Sequence, residues 1–121
     1  LPGHLRNKKT HPATKTFQAI RIAVNDELAN LHRAIENGID MLERGGRFSI
    51  ISFHSLEDRM VKNAFRSWER GCICPPDFPV CRCNRSSKVR VPIKRAVVPG
   101  DAEIASNPRA RSARLRTAVR I

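Results

Sequence analysis

Tyrosine is absent from the 121 residues, tryptophan occurs once, and aromatic residues make up only 5% of the chain. Proteins that grip single strands by base stacking line their grooves with such rings, so this scarcity argues against a stacking platform. Long apolar runs are missing as well. No stretch approaches the roughly 20 residues of a membrane helix and no signal-peptide pattern occurs, so a soluble, cytoplasmic chain with no membrane partner is expected. No G-x-G follows a strand-like segment, and no acid lies about 20 positions beyond one to hold a ribose. A glycine-rich nucleotide cradle is therefore not written here. Acidic residues are few: 11 against 23 lysines and arginines, a net charge of +12.

That charge is unevenly spread. Residues 1–22 carry five bases and no acid, residues 23–81 seven bases and nine acids, and residues 82–121 eleven bases and two acids. A balanced middle with basic ends fits a folded body offering cationic surface to a polyanion. The bland alternative is an ordinary basic surface without a ligand. The length is one domain at most, and 40% hydrophobic residues suffice for a core. The start at Leu1, in the polar and basic stretch "LPGHLRNKKTHPATK", reads as a piece of a longer protein.

The clearest periodicity lies in "TKTFQAIRIAVNDELANLHRAIENGIDMLERGG". Phe17, Ile20, Val24, Leu28, Leu31, Ile35, Ile39 and Leu42 step by three or four residues and define one apolar helical face. Thr14 or Thr16 is the expected N-cap, Gly45 and Gly46 supply the stop, and Gly38 is a point where the pattern divides in two. Phe48, Ile50, Ile51 and Phe53 then form a nearly continuous apolar run, as in a strand of a parallel sheet buried on both faces. "SLEDRMVKNAFRSW" returns to helical spacing, with Ser55 and Asp58 as a capping box and an end by Gly71. "VRVPIKRAVVP" is β-like, "DAEIASNPRAR" reads as turn, short helix and turn, and "SARLRTAVRI" alternates as a strand. Its Leu115, Thr117, Val119 and Ile121 point one way, and Arg114, Arg116 and Arg120 the other. The order is half an α/β sandwich with an antiparallel strand pair at the end.

Three constellations carry chemistry. At the end of the "GGRFSIISFHSLEDR" strand, His54 and Ser55 lie where open α/β sheets bind ligands. A Ser/His/acid triad drawn from Ser52, His54 and Asp58 is disfavoured: there is no G-x-S-x-G elbow, and near neighbours in sequence rarely meet in triad geometry. Ser55 as a cap leaves His54 free to face a cleft. Cys72, Cys74, Cys81 and Cys83 form two C-x-C pairs in "CICPPDFPVCRC". They fit a tetrahedral zinc site, an oxidised pair, or buried thiols packing a proline-rich loop; C-x-C is tighter than the usual C-x₂-C, which favours the thiols over the metal. Arg109 and Arg111, after the Asn107–Pro108 turn, offer planar forks suited to phosphate. Lys15, near a helix N-terminus, places positive charge where the dipole is already positive and so invites an anion.

Three stretches, "HPATKTFQAIRIAVNDEL", "GGRFSIISFHSLEDRMVK" and "NPRARSARLR", together resemble the C-terminal part of the MraW family of methyltransferases. The resemblance implies the C-terminal part of a class I (Rossmann-like) methyltransferase sheet with a terminal antiparallel strand pair. Residues 1–14 would be the exit from an inserted helical domain, and residues 15–121 the later half of the methyltransferase domain, with residues 72–84 as a Cys-rich loop. It also implies transfer of a methyl from S-adenosylmethionine to the exocyclic N4 of a cytidine in small-subunit ribosomal RNA. Lys15, His54, Ser55, Asn107, Arg109 and Arg111 are then the expected RNA and base contacts. No donor-binding residue of the family has a counterpart here, so this portion is expected to be inactive alone. A stand-alone basic RNA-binding module and a zinc-stabilised interaction protein are the rival readings.

Overall fold

A computed structural model describes residues 13–75, 77 and 79–121. The expected exit segment, residues 1–14, lies almost wholly outside them. The long apolar pattern forms two helices, α1 (Thr14–Val24) and α2 (Glu27–Gly38). They are divided not at Gly38 but at Asn25–Asp26, where Asp26 adopts φ 52° in the left-handed region. Asp tolerates that conformation better than most residues because its short polar side chain bonds locally. Neither threonine caps α1: the N-cap position is Ala13, without a side-chain cap bond.

The break decides which apolar residues reach the core. Ile35 and Ile39 are buried, with Leu31 and Leu42 packed against them, whereas Phe17, Ile20 and Val24 on α1 are 71, 54 and 78% exposed. Gly38 closes α2 against the next strand: a Cβ there would stand 2.6 Å from the Phe48 ring. That strand, β1 (Arg47–Ser52), leads into α3 (Ser55–Arg70). Gly71 caps α3 with φ 68°, and the chain then runs through the cysteine loop to β2 (Val89–Arg90). A short helix α4 (Asp101–Ser106), a 3₁₀ turn (Pro108–Ser112) and β3 (Arg114–Arg120) complete the order.

The sheet has the order β1-β3-β2, with β3 antiparallel to both neighbours. Arg47 faces Val119 at one end of the β1–β3 ladder and Ser52 faces Arg114 at the other. Val97 and Leu115 form a further isolated antiparallel bridge. The expectation of a β1 buried on both faces in a parallel sheet is thus corrected. Its one neighbour among the described residues is antiparallel, and Ile51 on its outer face is 58% exposed. Helices α2 and α3 pack on the other face. Phe65 and Val61 of α3 and Ile35 of α2 pack with Val89 and Ala118, and Phe65 sits 6.1 Å from the Phe48 ring and 5.8 Å from Trp68.

β3 alternates as expected, yet the face turned to the helices is the arginine face. Ala118 is fully buried there, and Arg116 and Arg120 flank it. Both guanidinium groups meet helix-side acids: Arg116 pairs bidentately with Asp58 at 2.8 and 3.1 Å, and Arg120 lies 3.9 Å from Asp40. The Leu115–Thr117–Val119 row lies on the other face and is half-buried; there Ser49 and Thr117 share a 2.8 Å hydroxyl bond. A small residue at 118 lets α3 approach, and the long arginine stems fill the space beside it.

Candidate functional site

Antiparallel pairing of β1 with β3 brings the carboxyl end of β1 beside the start of β3. The "SFHSLEDR" turn and the "NPRARSAR" turn therefore share one end of the sheet, joined by the Ser52–Arg114 pair. Ser52 Oγ donates to the Arg114 carbonyl at 3.4 Å.

At the β1–α3 turn the roles of the two neighbours are the reverse of those expected. His54, not Ser55, is the N-cap: its Nδ1 accepts from the Glu57 N–H at 3.3 Å. Glu57 completes the capping box, its Oε2 accepting from the Phe53 and His54 N–H groups at 2.8 and 3.2 Å. Asp58, the expected box partner, is committed to Arg116 instead, and that hydrogen-bonded guanidinium holds its carboxyl below the ordinary range despite burial. The box forms one residue early because Glu reaches the open amides better than Asp.

With its side chain 8% exposed, His54 places Nε2 3.3 Å from Glu57 Oε1 and 3.8 Å from Glu27 Oε2. Nε2 is buried without a hydrogen-bond partner. Glu27 opens α2 and is itself held by Arg21 at 2.8 Å, which depresses its carboxyl pKa. The imidazole thus ties the α1–α2 corner to the turn after β1. Glu27, His54 and Glu57 have a metal-like spacing, but a metal on Nε2 would force the ring proton onto Nδ1, against the Glu57 N–H it now accepts. What the turn presents outward is Phe53 (55% exposed), Ser55 and Leu56.

On the other turn, Ala110 is buried and anchors the 3₁₀ segment, while Arg109 and Arg111 on either side of it are exposed. Neither takes part in an ion pair among the described residues. Asn107 ends α4, its N–H bonding the Glu103 carbonyl at 2.7 Å. Lys15 stands apart: it is exposed in the first turn of α1, at the end away from the α1–α2 corner. The structure therefore joins His54, Ser55, Asn107, Arg109 and Arg111 at one sheet end and leaves Lys15 outside that group.

A groove of about 950 Å³ runs between α3 and the chain after β2, and sequence reasoning missed it. Lys62, Arg66 and Arg70 line it at helical spacing, with Lys94 and Arg116 opposite. The acid on its wall, Glu69, is already bonded by the Val91 N–H at 3.0 Å and by the Lys94 ammonium. The signal was present as a base at every fourth position, hidden because residues 23–81 balance in total charge. The groove's lower end is formed by Cys72 and Ile73. There the four cysteine sulfurs converge, all within 4.8 Å of one another. The expected burial of these thiols is not found: Cys81 is exposed and the others are half-buried. Hydrogen bonds from the Ile73 and Arg85 amides bring the Cys83 thiol down to about 6.

A basic groove and a three-stranded antiparallel sheet packed on helices define one part of an α/β protein. The chain matches the MraW methylase family over residues 1–121 and belongs to it. It is 62% identical over all 121 residues to the ribosomal RNA small subunit methyltransferase H of Syntrophus aciditrophicus, covering 38% of that protein. Proteins of the same name from Halothermothrix orenii and Heliobacterium modesticaldum are 54% and 52% identical over the whole chain, which covers 39% of each. The chain thus spans less than two fifths of the length of these relatives. Among the described residues no helix is long and apolar enough to cross a membrane.

Proposed function

We propose that the protein bearing this chain transfers a methyl from S-adenosylmethionine to N4 of a cytidine in small-subunit ribosomal RNA, in the cytoplasm where that RNA is assembled. In this reading the chain is the later half of a class I methyltransferase sheet and forms the RNA side of the cleft. The observation that carries it is the 62% identity, over all 121 residues, to a protein named for small-subunit ribosomal RNA methylation. The geometry agrees: β1 keeps one edge free among the described residues, as a strand does when further strands continue the sheet.

The described residues do not fit the methyl donor. Neither the basic groove nor the smaller hollow of about 270 Å³ lined by Arg47, Arg90, Pro92, Ile93, Thr117 and Val119 offers a glycine-rich turn or an unpaired acid for a ribose. Lys62, Arg66 and Arg70 along the larger groove, where Lys94 and Arg116 are already paired with acids, would repel a sulfonium. No step is assigned through the donor here. What these residues supply is substrate handling. Lys62, Arg66, Arg70, Arg109, Arg111 and Lys15 take RNA phosphates, and Asn107 supports the turn that presents the two arginines. Ser55 and the exposed Phe53 meet the base after it leaves its stack, while His54 fixes the turn that carries them.

The test uses the intact protein with radiolabelled S-adenosylmethionine and isolated small subunits, followed by digestion of the RNA to nucleosides. Label in N4-methylcytidine is expected; label elsewhere, or none, overturns the reading. A stand-alone RNA-binding role draws support from the same groove. It differs in one outcome: RNA affinity that falls steeply with salt, with no transfer under any condition.

A further inference from the structure

The structure assigns a zinc ion to the loop between α3 and β2, held by Cys72, Cys74, Cys81 and Cys83. This site goes beyond the methyl-transfer reading and stands whether or not that reading does. The sulfur separations are 3.6 Å for Cys72–Cys81, 3.5 Å for Cys81–Cys83, 3.8 Å for Cys72–Cys83 and 4.0 Å for Cys74–Cys81. A tetrahedral zinc with Zn–S bonds of about 2.3 Å places its sulfurs about 3.8 Å apart. A disulfide would instead draw two sulfurs to about 2.05 Å and leave the other two behind.

Ordinary packing does not explain the convergence. Free cysteines behave as small apolar residues and bury themselves, yet Cys81 is exposed and its three partners are only half-covered. Among the described residues of the loop, Ile73 and Val80 turn outward, being 60% and 68% exposed. What converges among those residues is four sulfurs. Backbone amides already point at them, those of Ile73 and Arg85 at Cys83 and that of Cys83 at Cys81. Such amide–sulfur bonds orient and steady thiolate ligands around a metal. Zinc with four thiols releases four protons and leaves a centre of charge −2, and Arg70, Arg82 and Arg85 flank the cysteines in the chain to offset it. Among the described residues no histidine or carboxylate joins this sulfur cluster, and an all-thiolate tetrahedron selects zinc or iron over harder cations.

The loop is also closed where a metal staple is most useful. A Cβ on Gly71 would lie 2.5 Å from the Ser86–Ser87 backbone, and the Lys88 N–H bonds the Trp68 carbonyl at 2.9 Å. Both ends are thereby fixed, and the metal holds the span between them. Since Cys72 and Ile73 form the end of the basic groove, the metal sets the shape of that wall.

The experiment is elemental analysis of the protein purified under reducing conditions, followed by cobalt titration of the metal-stripped form. About one zinc per chain is expected, and cobalt should give the visible bands of a tetrahedral site with a thiolate charge-transfer band, both displaced by zinc. Cys81→Ser should weaken zinc binding at least about tenfold, whereas Cys74→His should keep it, because three cysteines and a histidine still close a tetrahedron. If Cys81→Ser does not fold, the cobalt titration of the unaltered protein decides. Reduced protein that binds neither zinc nor cobalt, alkylation showing a disulfide, or stoichiometric iron in place of zinc overturns the assignment.

Discussion

Asp58 and Arg116 form the most consequential side-chain pair in the described structure. Both side chains are nearly nine-tenths covered, and the pair joins the first turn of α3 to the middle of β3. Removing one partner strands the other. Asp58→Ala should cost about 2 kcal/mol, below the range for fully buried pairs because one flank opens to the groove. Replacing both with apolar residues (Asp58→Leu with Arg116→Met) should cost less than either single change, since neither charge is then left bare. Urea unfolding of the four proteins measures the coupling, and additive losses would refute it. The pair also sets a pH dependence. The Asp58 carboxyl titrates lower when folded than when unfolded, so its contribution is complete above the unfolded value of about 3.9 and fades as pH falls through the folded one. The urea midpoint should therefore drop below about pH 4, and Asp58→Asn should flatten that drop.

Among elements, α3 is the hub, packing on β1, β2 and β3 and bounding the groove. Its C-terminal end and that of α2 depend on glycines of different kinds. Gly71→Ala meets backbone at 2.5 Å and a φ of 68° together, so no rearrangement relieves it, and a loss of about 2 kcal/mol or more in thermal or urea unfolding is expected. Gly38→Ala meets the Phe48 ring at 2.6 Å in ordinary helical backbone, and Phe48→Leu in the same chain should recover most of its loss. Recovery at Gly71 by trimming any side chain would contradict this distinction. The helices, the strands and their order were legible in apolar spacing and glycine position. The break at Asn25–Asp26 was not, because it rests on a left-handed Asp that no periodicity marks. Nor was the inner face of β3, where alternation shows two faces without saying that the arginines, rather than Leu115 and Val119, turn inward to Asp58 and Asp40. The cap at His54 was missed because an imidazole is a rarer cap than the serine beside it. The sulfur cluster was legible as four spaced cysteines, but only folding shows that all four sulfurs converge.

At the scale of the whole molecule, the apolar surface is conspicuously unfinished. The outer sheet face leaves Ile51 58%, Val97 46% and Ile121 50% exposed, and the α1 stripe of Phe17, Ile20 and Val24 lies open as well. In a class I sheet both faces carry helices and the early strands carry the donor site, so in the proposed reading these surfaces meet the part of the longer protein that grips S-adenosylmethionine. Charge points the same way, since Lys62, Arg66 and Arg70 along the groove favour phosphate and oppose a sulfonium, while Lys94 and Arg116 are paired with Glu69 and Asp58. The two ligands should therefore separate. By titration calorimetry the 121-residue chain should show no S-adenosylmethionine binding in the micromolar range while the intact protein binds it. The chain should still bind single-stranded RNA with an affinity that falls with salt, and Lys62→Ala with Arg66→Ala should reduce the slope of log affinity against log salt by about 1.4, the share of two lost phosphate contacts. Micromolar donor binding by the chain itself would place the methyl carrier on these residues and overturn the division. An unchanged salt slope would move the RNA off the groove to the Arg109–Arg111 turn, where the corresponding double substitution should then lower it.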